Sequence, residues 1–361
     1  MGRHVIAKVS QKALLNNLQQ VQRLAPQSKI LAMIKANAYG HGLIPVAKAL
    51  KSVDAFGVAC IEEALRLRQA GIKTDIVLIE GIFRPEELEL VQAFGLTVVV
   101  HHWAQIQALQ NYRELPLQPF KVWLKINTGM NRLGFPVAEF DVAWRKIIEM
   151  PQVTLLGFMT HFPNADQTEH DLTQQQCVQF SQLIGERPGQ KCLANSAGVI
   201  AWPQSHADWV RPGLMLYGAS PLPKVSAASL NLMPAMQLCS EIIAIQTVNP
   251  EECVGYGGTW KNVKNSAKIG IVAIGYGDGY PWHAKNGTPV LVNGQRASTV
   301  GRVSMDMLAI DISALPQVKI GDPVMLWGDG LPIEEVAAHA GTIPWELFCR
   351  FTERVTVQVI L

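Results

Sequence analysis

Short apolar runs alternate with longer amphipathic segments through roughly the first 220 residues of the chain. Most of the runs are rich in Val, Ile and Leu and carry few polar residues, as strands covered on both faces do. The amphipathic segments predict helices and include Glu62–Ala70, Pro85–Phe94, Val137–Glu149 and Asp171–Gly185. Eight strand-then-helix units predict an α/β protein with a (β/α)8 barrel, or TIM barrel. The predicted strands are Ile30–Lys35, Ala55–Cys60, Ile76–Gly81, Thr97–His101, Lys121–Asn127, Thr154–Phe162, Lys191–Ser196 and Trp209–Tyr217.

The pattern changes after Gly218. Residues 219–236 are rich in Pro, Ser and Ala and predict a connection, and short β-branched runs dominate from there on. Asn293-Gly294 predicts a tight hairpin between two of these runs. We therefore expect a barrel over residues 1–232 and a mostly antiparallel β domain over residues 233–361. The first strand, Val5–Val9, is a candidate to pair with the β domain rather than with the barrel. The expected elements of the β domain are the strands Glu241–Val248, Ala267–Ile274, Pro289–Val292, Met307–Ile312 and Pro323–Trp327 and the helix Ile333–His339.

Composition and charge exclude several classes of partner. The chain has 31 Lys+Arg and 29 Asp+Glu residues, a formal net charge of +2, so it lacks the basic surface of a nucleic-acid binder. No apolar run reaches the ~18 residues needed to cross a bilayer, and the N-terminus lacks the long apolar stretch of a signal peptide. The six cysteines show neither CxxC pairs nor zinc-ligand spacing. We expect a cytoplasmic protein with reduced thiols, no metal site, and no nucleic-acid or membrane partner.

Reactive side chains stand at or just after the carboxyl ends of the predicted barrel strands, where such barrels place their active sites. Lys35 ends the first strand, and a desolvated lysine is a nucleophile for Schiff-base formation; an ion pair at the strand end is the alternative interpretation. The glycines of residues 35–42 predict a tight turn with free backbone N–H groups for a phosphate. Residues 195–198 and 211–214 form similar small-residue turns. The other polar residues at this rim are Lys125, Arg132, His161, Asn195, Ser196 and Arg211.

Residues 35–42, Lys-Ala-Asn-Ala-Tyr-Gly-His-Gly, resemble the pyridoxal-phosphate attachment motif of bacterial alanine racemases. Residues 125–134, 209–218, 254–258 and 304–307 resemble further motifs of that family, in the family's order. The resemblance spans almost the whole chain. It implies a PLP-dependent isomerase that interconverts L-alanine and D-alanine as a homodimer, either to supply D-alanine for peptidoglycan or to serve alanine catabolism.

The resemblance also implies roles for individual residues. Lys35 would bind pyridoxal 5′-phosphate covalently and act as one base, while Tyr256, from the second copy of the chain, would act on the opposite face of Cα. Arg132 would contact both cofactor and substrate carboxylate, and Lys125, a position often carbamylated in the family (N6-carboxylysine), would orient it. Met305 and Tyr276 would line the substrate entrance. The remaining implied cofactor contacts are Tyr39, His161, Asn195, Ser196, Arg211, Gly213 and Leu214.

Two residues depart from the family pattern. Trp345 stands where the family usually has a tyrosine that touches the phosphate and narrows the entrance, and tryptophan offers an N–H donor but no hydroxyl. Trp282 stands where arginine is common near the entrance. Neither change removes an implied base, but both bear on phosphate binding and on the shape of the entrance.

Four other functions compete with the alanine racemase interpretation. A racemase of another amino acid differs only at the entrance, where the chain departs from the family. A PLP-dependent decarboxylase of similar architecture does not explain a second base at Tyr256. A non-catalytic PLP-binding protein is typically a single barrel, without a β domain. A cofactor-free barrel hydrolase would need carboxylates or a metal at the strand ends, which the sequence does not indicate.

Overall fold

In the computed structural model, which describes residues 3–112, 118–263 and 265–360, the chain begins with strand β1 (Ile6–Ser10) and helix α1 (Gln11–Leu24). Ser10 caps the helix, because its Oγ accepts a hydrogen bond from the Ala13 N–H at 3.2 Å. The buried residues of α1 recur at helical spacing and face the core. The strand and the helix thus join two different layers of the molecule.

Eight parallel strands close into a barrel, and each overlaps one of the eight predicted runs. Each barrel strand pairs with the next one in the sequence, and β10 pairs with β2 to close the ring. The two-residue β7 only extends the end of β6. The (β/α)8 prediction is confirmed. The strands are β2 (Lys29–Met33), β3 (Ala55–Val58), β4 (Asp75–Leu78), β5 (Thr97–Val100), β6 (Phe120–Asn127), β7 (Phe135–Pro136), β8 (Val153–Met159), β9 (Gln190–Asn195) and β10 (Trp209–Arg211).

Helical segments follow the barrel strands and cover their outer face. In the segment after β3, Ile61, Ala64 and Leu67 are buried at spacings of three residues, as a helix that packs one stripe on a sheet requires. Among the described helices, none is both long and apolar enough to span a membrane. The helical segments are α2 (Lys35–Tyr39), α3 (Leu43–Ala49), α4 (Ile61–Gln69), α5 (Glu87–Ala93), α6 (Trp103–Asn111), α7 (Phe140–Ile148), α8 (Leu172–Ile184) and α9 (Ser196–Ala201).

Most predicted barrel strands extend past their observed carboxyl ends, for example at Gly81 and Phe162, where the strands end at Leu78 and Met159. Two of the wrong ends bear on the site. The first barrel strand ends at Met33 rather than Lys35, because the backbone turns sharply after Ile34. The last ends at Arg211 rather than Tyr217. Pro212 follows it, and proline has no N–H with which to continue the hydrogen-bond ladder. Residues 214–217 form a 3₁₀ turn instead.

A second sheet forms the β domain, and its strands are antiparallel except for one pair, as predicted. The long β11 pairs with both β18 and β14, so that six strands close into a small barrel. The elements are β11 (Met236–Val248), β12 (Cys253–Val254), β13 (Trp260–Lys261), β14 (Ala267–Val272), β15 (Pro289–Val292), β16 (Gln295–Val300), β17 (Leu308–Asp311), β18 (Pro323–Trp327), α10 (Ile333–Ala340), α11 (Pro344–Cys349) and β19 (Thr356–Ile360).

The first strand of the chain belongs to this second sheet. β1 pairs antiparallel with β11 and parallel with β19. The chain therefore enters the β domain first, builds the TIM barrel, and then returns. The hairpin at Asn293-Gly294 also forms as predicted: both residues have positive φ, 49° and 78°, and they join β15 to β16.

Asp278 is a fully buried carboxylate of the β domain, with 0% of its side chain exposed. Arg3 donates to both of its oxygens at 2.7 and 2.6 Å, and Arg354 Nε lies 3.1 Å away. Replacing Asp278 by alanine would leave Arg3 without a carboxylate partner and Arg354 with only Asp306, 2.7 Å from its Nη2. We therefore expect the free energy of unfolding to fall by about 3 kcal/mol. Urea denaturation measures this loss.

Asp141 provides the matched control for this prediction. It also pairs with an arginine, Arg187, at 2.7 Å, but 61% of its side chain is exposed. Because solvent screens such a pair, Asp141→Ala is expected to cost at most about 1 kcal/mol. Equal losses in the two variants would contradict the assignment of Asp278 as a buried anchor.

Candidate active site

A cavity of about 560 Å³ opens at the carboxyl ends of the barrel strands. Residues from most of the barrel strand ends line it, and Trp345 of α11 contributes from the β domain. Every barrel residue predicted to bind cofactor or substrate contributes to the lining. These residues are Lys35, Tyr39, Lys125, Arg132, His161, Asn195, Ser196, Arg211, Gly213 and Leu214.

Lys35 precedes an unusual turn of the backbone. Residues 36–39 all have φ between 51° and 55°, the left-handed region that L-amino acids avoid. Such strain costs about 1–3 kcal/mol per residue and is found mainly at functional sites. Lys35 Nζ lies 3.7 Å from Glu80 Oε1, and both side chains are about one-third exposed. The turn thus presents the lysine to the cavity, with a carboxylate beside it.

The prediction that the glycines of this turn leave N–H groups free for a phosphate is wrong. Gly40 N–H donates to the Ala36 oxygen and Gly42 N–H to the Asn37 oxygen, both at 3.0 Å. Close packing explains the first glycine instead, because a Cβ at Gly40 would clash with the Phe348 carbonyl oxygen. The N–H groups of Gly40 and Gly42 are therefore already bonded to backbone oxygens of the same turn.

Hydroxyl groups gather at one end of the cavity. Ser196 Oγ accepts hydrogen bonds from the N–H groups of Gly213 at 2.8 Å and Met215 at 3.3 Å, which leaves its own proton to donate. Tyr39 lies against the same turn, because a Cβ at Gly213 would come within 2.6 Å of Tyr39 Oη. Burial raises the pKa of Tyr39, so its hydroxyl stays protonated. Two O–H donors therefore converge here.

Asn195 lies beside these hydroxyls, but both ends of its side-chain amide form hydrogen bonds with the backbone of the chain. Its Oδ1 accepts the Gly198 N–H at 3.0 Å and so caps α9. Its Nδ2 donates to the Phe162 oxygen at 3.4 Å. The prediction of cofactor contact rests only on its position in the cavity lining.

Arg211, at the end of β10, and His161, just after β8, stand together across the end of β9. Nη1 of Arg211 donates to the Cys192 oxygen at 2.8 Å, and Nη2 lies 3.2 Å from Nδ1 of His161. Burial, and then the charge of Arg211, hold the pKa of His161 well below its usual value, so the imidazole is neutral. Arg211 Nε makes no hydrogen bond to a described residue, although the arginine is 3% exposed. This nitrogen remains available as a donor.

Lys125 lies in a strongly cationic part of the cavity. Burial, followed by the charges of Arg211, Arg132 and Lys35, lowers its pKa to about 7. The amine is therefore largely neutral just above neutral pH, which is the form that reacts with electrophiles. Arg132 is exposed at the same wall and makes no hydrogen bond or ion pair with any described residue.

The residues predicted on the β domain lie outside this cavity. Tyr256 is 72% exposed, Tyr276 39% and Met305 53%. The three glycines around Tyr256, at positions 255, 257 and 258, all have positive φ, a backbone conformation that other residues rarely adopt. Trp282 is exposed as well, and the Arg302 guanidinium lies 5.9 Å from its ring centroid. One chain therefore brings together the barrel residues but not Tyr256.

Sequence reasoning missed Glu80, which pairs with Lys35, and the cavity residues Met130 and Asp166. Glu80 stands two residues after β4, within a run already predicted to be a strand. The rule that strand ends carry the site could have found it. Met130 and Asp166 lie in loops, where sequence gives no comparable signal.

The comparisons with known proteins agree over the whole chain. Residues 9–221 match the family model for the alanine racemase N-terminal domain, and residues 235–359 match that for the C-terminal domain. The curated alanine racemase of Aeromonas hydrophila is 47% identical over 356 residues, which cover 98% of this chain and 99% of that protein. The alanine racemase of Shewanella sediminis is 47% identical over 352 residues, 97% of this chain and 98% of that protein.

Solved structures give the same result. The biosynthetic alanine racemase of Pseudomonas aeruginosa superposes with a TM-score of 0.96 at 43% identity and covers 100% of both chains. A Bartonella henselae alanine racemase described with covalently bound pyridoxal phosphate superposes at 0.89, with 26% identity and 100% of both chains covered. Fold, cavity and sequence lead to one conclusion: the chain belongs to the alanine racemase family, a family of isomerases.

Proposed function

We propose that this chain interconverts L-alanine and D-alanine with pyridoxal 5′-phosphate, as a homodimer in which each active site combines the cavity of one chain with Tyr256 of the other. The observation that supports the proposal best is the arrangement of the cavity. Lys35 faces a space with two hydroxyl donors at one end and the unpartnered Nε of Arg211 in its wall. These donors fit the phosphate and the ring nitrogen of this cofactor.

When bound, the cofactor withdraws electrons from Cα of the amino acid and so acidifies its Cα–H bond. Tyr39 and Ser196 bind the phosphate through their hydroxyl groups. Arg211 donates to the ring nitrogen through Nε. Because a guanidinium does not give up its proton, it keeps that nitrogen unprotonated and limits the electron withdrawal. This suits an enzyme that must return a proton to Cα.

Arg132 binds the substrate carboxylate, for which the forked geometry of a guanidinium is well suited. Three cationic side chains lower the pKa of Lys125 and only the charge of Glu80 opposes them, while Lys125 makes no ion pair with a described residue. As N6-carboxylysine it would be an anion in that cationic surrounding and would orient Arg132. The neutral amine required for this reaction is available because of the lowered pKa of Lys125.

Two bases complete the reaction. Lys35 takes or returns the proton on one face of Cα, and Tyr256 of a second copy does so on the other. The proposal of a dimer is supported by exposed apolar side chains around Tyr256. They form a patch of the kind that usually marks an interface with another protein chain, and its members are Tyr276, Trp282, Met305 and Met307. The second copy would bring Tyr276 and Met305 to the entrance of the cavity.

Carbamylation of Lys125 predicts a dependence on dissolved CO₂ and on pH. The neutral fraction of an amine with a pKa of about 7 rises from about one-tenth at pH 6 to about nine-tenths at pH 8. We expect protein prepared free of CO₂ to gain activity when bicarbonate is added, and to gain more at pH 8 than at pH 6. Initial racemisation rates with and without bicarbonate measure this.

Lys125→Gln is the matched control for this experiment, because it lacks the amine. Bicarbonate should not change its rate at either pH. An equal response of both proteins would show that bicarbonate acts elsewhere and that Lys125 is not modified.

The proposed activity is tested with L-alanine, purified protein and pyridoxal 5′-phosphate in heavy water. We expect D-alanine with deuterium at Cα, and little turnover of serine, arginine and lysine. Turnover of one of these instead would favour a racemase of another amino acid, and release of CO₂ would favour a decarboxylase. A bound cofactor without exchange at Cα would favour a non-catalytic PLP-binding protein.

A further inference from the structure

Gln176 is a buried polar residue of α8 that reaches two loops of the active site. Its side chain is 1% exposed. Its Nε2 donates to Thr128 Oγ1 at 3.0 Å, in the loop after β6, and to the His161 carbonyl oxygen at 3.1 Å, in the loop after β8. Because both bonds come from one amide nitrogen, the amide orientation is fixed. One side chain thus joins the loop that leads to Arg132 with the backbone of His161.

The hydrogen bonds continue in one direction from Thr128. Thr160 Oγ1 donates to the Ile126 oxygen at 3.0 Å, so in its 2.7 Å bond with Thr128 Oγ1 it must accept. Each group therefore donates a hydrogen bond to the next: Gln176 to Thr128, Thr128 to Thr160, and Thr160 to the backbone of β6. All three side chains are buried, at 1%, 5% and 0% exposure. A buried network in which each hydroxyl both donates and accepts rigidifies its surroundings.

Each end of this network is connected to residues that line the cavity. Thr128 begins a loop that folds on Asn127, whose Oδ1 accepts the N–H groups of Gly129 at 3.1 Å and Asn131 at 3.0 Å. Arg132 follows directly. At the other end, the Thr160 carbonyl oxygen accepts from Arg211 Nη2 at 2.6 Å. The network therefore fixes the backbone from which Arg132 and His161 project, and the carbonyl oxygen that the Arg211 guanidinium binds.

We propose that Gln176 and Thr128 are positioning residues. They hold the Arg132 guanidinium within hydrogen-bonding distance of the substrate carboxylate. The inference rests on the proposed role of Arg132 in alanine binding. Neither residue touches the reacting atoms: Gln176 acts through Thr128, and Thr128 acts through the three residues that connect it to Arg132.

The test uses Thr128→Val, which keeps the shape but removes the hydroxyl, and Thr128→Ser, which keeps the hydroxyl. Gln176→Leu removes the amide, and Gln175→Leu is its control, an exposed neighbour on the same helix. Each holoenzyme is titrated with propionate, which has the carboxylate of alanine without the amine. We expect Thr128→Val and Gln176→Leu to weaken propionate binding about tenfold and to raise KM more than they lower kcat.

The controls should keep the wild-type values, with Thr128→Ser restoring propionate affinity. Melting temperatures identify a purely structural effect. If Thr128→Val and Gln176→Leu lower the melting temperature but leave propionate affinity and KM unchanged, the positioning role is overturned. If the wild-type protein binds propionate but does not racemise alanine, the proposed activity fails while the propionate titrations still decide whether the network positions Arg132.

Discussion

Replacing Lys35 by alanine is expected to lower racemisation of alanine by at least about 10³-fold, because the substitution removes the covalent attachment of the cofactor and one of the two bases. Lys121→Ala is the matched control. That lysine lies in barrel strand β6, its side chain is 46% exposed, and its Nζ lies 3.9 Å from Oδ2 of Asp75. Its loss should leave the rate unchanged. Formation of D-alanine from L-alanine measures both.

Lys125 is the alternative lysine for covalent attachment of the cofactor. Its lowered pKa, about 7, makes it a better nucleophile at neutral pH than an ordinary lysine. Access argues for Lys35, because 35% of the Lys35 side chain is exposed, whereas Lys125 is 4% exposed. Borohydride reduction followed by peptide mapping decides between them. Cofactor fixed to Lys125, or an active Lys35→Ala variant, would contradict the assignment.

The barrel could be predicted from sequence because its strands are covered on both faces. β3 and β5 are buried along their whole length, so each appears as an unbroken apolar run. The hairpin at Asn293-Gly294 was equally clear, since few dipeptides accept two positive φ angles. The apolar pattern of β1 is compatible with either sheet, and only its long-range partners, β11 and β19, decide that it pairs with the β domain.

The site could be predicted less completely, for a different physical reason. Strand ends converge in any (β/α)8 barrel, so topology alone brings Lys35, Arg132 and Arg211 to one cavity. Which donors are free depends on local hydrogen bonding. The glycines near Lys35 indicated free N–H groups, but four successive residues in the left-handed region turn those groups back on the chain.

Polar residues that act only by positioning other residues cannot be predicted from the sequence. Gln176 belongs to a helix with several glutamines, and its neighbour Gln175 is exposed. The two differ only in the side of the helix they occupy, and in partners more than ten residues away in sequence. No local pattern marks one glutamine as part of a buried network.

Replacing Tyr256 by phenylalanine is expected to abolish net racemisation while deuterium exchange at Cα of one enantiomer persists. The phenol that serves one face is lost, but Lys35 still exchanges the proton on the other. The expected loss is about 10²–10⁴-fold, the range found when a positioned acid or base is removed. Exchange without inversion is the specific signature, because a misfolded protein would show neither.

A mixture of Lys35→Ala and Tyr256→Phe chains tests whether the two bases come from different copies. If they do, the mixed dimer contains one site with both bases damaged and one site with both intact. Random pairing would then give about one quarter of the wild-type activity from two inactive parents. If Tyr256 instead served the cavity of its own chain, no pairing could restore a site. The 72% exposure of Tyr256 and its position outside the cavity of its own chain favour recovery.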